Sequence, residues 1–268
     1  MTAPRETLAE GIDRQWLEAE AAVDPVSHAW ALWDLDHERG RFRFVSFLRD
    51  GLTRAYLLVW YGGPTPIVIW VSKDPADGLL CLGLPLPPVH AAVPERVAPA
   101  VRQRLRASSW RVVDVLVCSS RPLGPPDPRV RALTSDDASA VSQLAARNPE
   151  AQWLGGLSDF LGRLPVWGAF EADRLVAVAR VAIQLPAVWH ISDVFTDPDF
   201  RGRGLAREVT AAVTNQALAA GARASLTVRA DNAPAQTIYR ELGYQQFDRR
   251  IWIESGDTTP PSPPSVLT

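Results

Sequence analysis

Lysine is almost missing from this chain: Lys73 is the only one among 28 basic residues. We read that bias as arginine-rich, GC-rich coding of bacterial type; selection of arginine for bidentate anion binding then applies to a few positions only. There are two cysteines, Cys81 and Cys118, both in apolar surroundings and neither in a CxxC pair. That spacing argues for free thiols over a disulfide framework or a nucleophile. His28, His37 and His90 lack metal-ligand spacing, so they are expected to be surface or structural residues and no metal is expected. The N-terminus has no apolar leader, and the longest apolar stretch, 55–71, is broken by Gly62-Gly63-Pro64-Thr65-Pro66. No spanning helix is therefore expected, and the chain reads as soluble and cytoplasmic. A formal net charge of −2 gives no bulk electrostatic reason for a nucleic-acid or membrane partner.

What is present is enough apolar residue, 47%, to fill real cores within 268 residues. Proline density over Arg121-Pro122-Leu123-Gly124-Pro125-Pro126-Asp127-Pro128 cannot continue a helix or a central strand, so a linker is placed at 121–128. It separates an N-terminal mixed α/β domain, 1–120, from a second domain, 129–255; the proline-rich end, 256–268, reads as a disordered tail.

In the first half, 5–22 reads as a helix with Ile12, Trp16, Leu17 and Ala21 inward. Residues 29–36, 42–49, 53–61 and 66–72 read as strands, 95–107 as a helix and 110–117 as a strand. Trp30, Trp33, Trp60, Tyr61 and Trp70 could line a substrate pocket; at strand spacing, core and cross-strand pairing is the plainer reading.

The second half is clearer. A short strand at 129–133 precedes a helix from Ser135-Asp136-Asp137 to Arg147, with Asp137 as a capping candidate. A further helix is expected at 150–163. A hairpin joins 167–170 to 175–183, and 188–196 is the next strand. From Gly204 to Ala220, Leu205, Val209, Ala212, Val213 and Ala217 share one helix face, and Gly221 stops the helix. Residues 223–230 alternate strictly, as a half-buried strand does. Asn232 opens another helix, and 244–254 closes the domain.

Chemistry concentrates where the strand 188–196 meets Asp197-Pro198-Asp199-Phe200-Arg201-Gly202-Arg203-Gly204-Leu205-Ala206. Two glycines allow positive φ, so successive amides can face one way. The following helix adds free N–H groups and the positive end of its dipole. Together they suit a diphosphate, with Arg201 and Arg203 able to add charge-assisted bonds. An ordinary glycine turn with surface arginines would look similar. The segment is not a Walker A loop, and a dinucleotide-binding glycine pattern fails at Arg207.

Arg201-x-x-Gly204-x-Ala206 resembles the Q/R-x-x-G-x-G/A coenzyme A motif of the GCN5-related N-acetyltransferase (GNAT) family. Val194-Phe195-Thr196-Asp197-Pro198 is similar to that family's lead-in, and Val228–Ala235 followed by Ile238–Tyr244 to its second motif. The resemblance covers about 129–255. It implies a GNAT fold, an α/β (α+β) architecture with a mixed, mostly antiparallel central sheet flanked by helices, and acetyl-CoA or another acyl-CoA as co-substrate.

By the same resemblance the amides of Arg201, Gly202, Arg203, Gly204, Leu205 and Ala206 bind the diphosphate, and the main chain of Val194, Phe195 and Thr196 pairs with the pantetheine arm and stabilises the oxyanion. Asn232 contacts the cofactor or simply caps its helix. Tyr239 protonates the departing thiolate or is a core tyrosine. Many relatives carry a Glu where this chain has Ser192. Asp193 then serves as base through water, or holds a substrate ammonium, or is merely paired with an arginine; His190 lies on the same strand. The first half resembles a degenerate copy of the fold. The implied reaction is acetyl transfer to the primary amine of a small molecule or amino acid by direct attack. A catalytically weak acyl-CoA sensor and a protein or peptide N-acetyltransferase are the alternatives, and a homodimer is a possible assembly.

Overall fold

The computed structural model describes residues 4–72, 77–107, 109–120, 124 and 127–255. The expected linker at 121–128 lies largely outside those residues, as does the tail at 256–268. Contacts divide the chain into two units. Among the described residues, one takes those up to Val113 with Arg249–Ser255, and the other spans Asp114–Asp248.

The first unit runs β1 (Glu6–Glu10), α1 (Arg14–Val23), α2 (Pro25–His37), β2 (Phe42–Arg49), β3 (Leu52–Trp60), β4 (Ile67–Ser72), a 3-10 segment (Asp77–Gly83), β5 (Val89–Pro94), α3 (Ala98–Leu105) and the start of β6 (Ser109–Cys118). Strands β1 to β5 lie side by side in chain order, antiparallel except for the parallel β4–β5 pair. Alternation along β3 sends Leu57 into one core with Phe47 and Trp70, and Leu58 into another with Leu17 and Phe44.

Two expectations for this half are corrected. Residues 29–36 are helix, not strand. Asp24 accepts a hydrogen bond from the Ser27 amide at 3.1 Å and Pro25 occupies the first turn, so the start signal lay upstream of the ambiguous apolar run. The expected helix at 5–22 is split. Glu6–Glu10 pairs antiparallel with β2, Gly11 breaks the chain at φ +89, and Asp13 caps a helix beginning only at Arg14. The segment Asp77–Gly83 and strand β5 had not been anticipated.

The second unit contains β7 (Val130–Ala132), α4 (Ala138–Arg147), a 3-10 segment (Gln152–Phe160), β8 (Val166–Glu171), β9 (Arg174–Gln184), β10 (Val188–Thr196), α5 (Leu205–Ala219), β11 (Arg223–Arg229), α6 (Ala233–Glu241) and the start of β12 (Gln245–Ser255). The helix expected at 150–163 is the 3-10 segment, which carries the pair Gly155-Gly156 that weakens an α-helix. Thr134 and Asp137 form a reciprocal capping box ahead of α4. Strands run β7-β8-β9-β10-β11 in reverse chain order, antiparallel apart from β10–β11. One face of this sheet buries α5 through Val209, Ala212, Val213 and Ala217. The other face packs Val166, Val178 and Phe195 against Leu144, Leu154 and Leu157 of α4 and the 3-10 segment. No helix among the described residues is long and apolar enough to cross a membrane.

Candidate active site

Strands β10 and β11 pair only from Val188↔Arg223 to Ile191↔Leu226, and β11 then runs on unpaired by β10. The divergence coincides with a bulge. Against β9, Ser192 faces Arg180 but Phe195 is the next residue in register, and Asp193 takes the left-handed φ of +53. A bulge bends its strand and leaves main-chain groups outside the ladder. The result is a wedge-shaped cleft lined by Ile191, Ser192, Asp193, Val194, Leu226, Thr227, Val228 and Tyr239. Ser192 Oγ and Thr196 Oγ1 are buried without a hydrogen-bond partner among the described residues. Unsatisfied buried hydroxyls are rare, and that of Ser192 lies in the wall of this cleft.

At the end of β10 the chain turns through Asp197 and a short 3-10 turn (Pro198–Phe200) into Arg201–Gly204. Gly202 and Gly204 adopt φ +74 and +76, which L side chains rarely hold, and nothing lies within 4 Å of a Cβ built on either. Leu205 opens α5. Among the described residues, the amides from Gly202 to Ala206 make no hydrogen bond. Open space and free donors at a helix N-terminus fit an anionic diphosphate. Arg201 is held by Nε donating to the Thr196 carbonyl at 3.3 Å, and the exposed Arg203 lies 4.9 Å from the Phe200 ring.

Asp197 anchors this turn and was not singled out in the sequence. It is buried and accepts from the Asp199 amide at 3.2 Å, Arg174 Nη2 at 3.0 Å and Arg147 Nε at 3.5 Å. Burial alone would raise its carboxyl, but the Asp199 amide, Arg174 and Asn148 outweigh that and hold it below the usual range. Its two arginines come from the start of β9 and the end of α4, and the Asp-Pro step was the only sequence signal.

Tyr239 sits on α6, buried, its ring 5.9 Å from Tyr244, and its hydroxyl makes no hydrogen bond among the described residues. Burial pushes the phenol up to about 12. Asn232 caps α6, accepting from the Ala235 amide at 3.2 Å, so the capping reading describes its side chain here. The Asp193 carboxylate is ion-paired with Arg180 of β9, whose guanidinium lies 4.0 Å above the Phe160 ring. His190 is buried with Nδ1 3.1 Å from Ser225 Oγ. Burial, helped by the Arg180 charge, lowers it to about 4 and keeps it neutral.

The bulge and the strand separation thus bring Ser192, Asp193, Val194 and Tyr239 to one cleft, while Arg201–Ala206 lie beyond the end of β10 at the start of α5. Phe195 packs into the apolar core and meets Trp153 edge-on, so only its main chain is offered to a ligand. His28, His37 and His90 lie in the first unit. His28 is buried, Nδ1 3.0 Å from the Tyr56 hydroxyl.

Residues 129–244 match the family model described as the acetyltransferase (GNAT) family. A search of curated proteins gives no match. Among solved structures, a protein assigned to the GNAT family from Novosphingobium aromaticivorans is 23% identical, covering 76% of this chain and 89% of its own, with a TM-score of 0.55. A GCN5-related N-acetyltransferase from Sphaerobacter thermophilus is 15% identical over 93% of this chain and 96% of its own, at 0.64. A tandem GNAT protein from the clavulanic acid biosynthesis pathway is 14% identical over 95% of this chain and 100% of its own, at 0.60. Residues 129–244 thus form a domain of the GNAT acetyltransferase family, and the chain as a whole shares its fold with a tandem GNAT protein.

Proposed function

We propose that the protein is an acetyl-CoA-dependent N-acetyltransferase, its functional domain spanning 129–255, acting on the primary amine of a small molecule or amino acid. The observation that carries this reading is the joint occurrence of the β10–β11 cleft, with Tyr239 in its wall, and the free-amide turn that opens α5. In this reading the turn Arg201–Ala206 holds the diphosphate, and main-chain groups of Val194, Phe195 and Thr196 hold the pantetheine arm as one strand holds another. Asn232 borders the arm while its side chain caps α6. That both cysteines are free thiols suits the reducing cytoplasm.

The neutral amine attacks the thioester carbonyl carbon. A C–N bond forms and the C–S bond breaks, giving an amide and a free thiol. A main-chain amide near Phe195 steadies the oxyanion. The ammonium's first proton leaves through water towards Asp193. The proton shed after attack is balanced by one that Tyr239 gives the thiolate and regains from solvent. A phenol near 12 is a weak donor to a thiolate near 8.5, but the cleft that disfavours phenolate also disfavours thiolate, narrowing the gap.

A second reading, an acyl-CoA-binding sensor, draws on one feature: Ser192 stands where relatives carry a Glu, and the neighbouring Asp193 is paired with Arg180. Calorimetry with acetyl-CoA and thiol release over an amine panel separate the two, since a sensor binds without turnover. Tyr239→Phe should lower kcat about 100-fold with acetyl-CoA affinity unchanged. Unchanged kcat removes Tyr239 from the chemistry.

A further inference from the structure

The face of the second unit's sheet turned away from α5 is apolar along β8 and β9, where Val166 and Val178 pack under α4 and the 3-10 segment. Further along it carries instead Arg180, His190, Asp193 and Ser225, of which Asp193 lines the cleft. The Arg180–Asp193 pair is semi-buried, with side-chain exposures of 14% and 23%. A guanidinium and a carboxylate usually meet as a fork, two parallel bonds to two oxygens. Here Nε and Nη2 of Arg180 both converge on Oδ2 of Asp193. Among the described residues, Nη1 of Arg180 and Oδ1 of Asp193 form no hydrogen bond. Neither leftover atom is among the buried groups that lack a partner, so this donor edge and this acceptor oxygen both stay open to solvent or to a ligand.

Two features hold that open edge in place. The Phe160 ring covers one face of the guanidinium at 4.0 Å and fixes its plane, along which the N–H groups are offered to an acceptor. Asp193 holds φ +53, a left-handed conformation that non-glycine residues rarely adopt, and it lines the cleft that Tyr239 also lines. The neighbouring His190 is neutral, so the patch presents one positive and one negative group and no third charge.

We infer that the acceptor is an amine that carries its own carboxylate, with the carboxylate taken by the free edge of Arg180 and the ammonium by Oδ1 of Asp193 before it is deprotonated for attack; the inference rests on the acyl-transfer reading above. A plain cationic amine meets the Arg180 charge without an anion to offset it. A simple carboxylate meets Asp193 in the same way. Only a zwitterion satisfies both leftover groups, and complementarity of this kind selects partners more than it adds raw affinity.

The test uses the full chain with acetyl-CoA and a panel of L-amino acids, each beside its methyl ester and its decarboxylated amine. Acetyl-CoA affinity is measured separately by calorimetry. The expected result is a kcat/KM for the acids about 10- to 100-fold above the esters and amines, the size of one or two charge-assisted hydrogen bonds. Esters have the less basic amine and so the larger neutral fraction, which biases the comparison against the inference. Arg180→Met should bring the ratio near one by raising KM for the acids, with acetyl-CoA affinity retained. Arg180→Lys, which keeps the charge and loses the fork, should give an intermediate ratio and covers the case in which the Met variant fails to fold. Esters or amines used as well as acids, or a ratio untouched by both variants, overturns the inference. Acetyl-CoA bound with no amine of any class acetylated also overturns it, whereas failure to bind acetyl-CoA overturns the acyl-transfer reading itself.

Discussion

Replacing His190 by asparagine should flatten the acid limb of the protein's stability curve. The imidazole is buried beside β11, with Ser225 Oγ at 3.1 Å from Nδ1. Burial and the Arg180 charge bring it from 6.5 down to about 4. Because the folded value lies below the unfolded one, the unfolded chain takes up the proton first. The stabilisation is therefore complete above about pH 6.5 and is lost as pH falls towards 4. Integrated from pH 7.5 to 4.5, that gap is worth about 2–3 kcal/mol, at 1.36 kcal/mol per pH unit. Asparagine keeps an amide donor near Ser225 and has no proton to gain. The assay is urea unfolding followed by tryptophan fluorescence at the two pH values. The wild type should lose about 2–3 kcal/mol more than the variant, and carboxylates such as Asp137 and Asp197, common to both proteins, cancel in the difference. Equal losses would mean that His190 is not held neutral by its surroundings, and the account of this sheet face would fail.

Gly204→Glu places a β-carbon at φ +76 and a negative charge beside the free amides, so acetyl-CoA affinity should fall more than about 100-fold in calorimetry; retained binding would move the diphosphate site elsewhere. Asp197→Asn removes charge from the contacts with Arg174 and Arg147, so the acetyl-CoA Kd should rise about 10-fold with the far-UV spectrum intact, and an unchanged Kd would leave the turn independent of that anchor. Asp34, 2% exposed on α2, is raised by burial and by Glu38 to about 7. Its folded form takes a proton below about pH 7 and its unfolded form only below about 4, so its ionisation weighs against the fold at pH 8 and that weight fades towards pH 4. Asp34→Asn should accordingly raise the Tm at pH 8, by about 1–3 kcal/mol of added stability, and do little at pH 4; no gain at pH 8 would refute the assignment.

The second half was legible where its signals are local. Gly202 and Gly204 ahead of an amphipathic run, Asn232 ahead of Pro234, and strict alternation over 223–229 each need only a few neighbouring residues to be read. The first half was harder. The run from Trp30 to Asp36 contains alanines, tryptophans and leucines that suit either period, and its true start is the Asp24-Pro25 cap, six residues upstream of Trp30. Strand β5 earns its place only by pairing with β4 and with Arg250–Ser255 of β12, the latter more than 150 residues away.

The order of elements in the second half, and the glycine turn opening α5 with its free amides, were written in the amino-acid sequence. Backbone conformation at glycine and the free donors of a first helical turn depend on a dozen adjacent residues. Folding in three dimensions decided the cleft itself. Where β10 leaves β11, which side Asp193 takes after the bulge, and its meeting with Arg180 and Phe160 depend on the register between separate strands, a long-range property that periodicity along one segment does not carry.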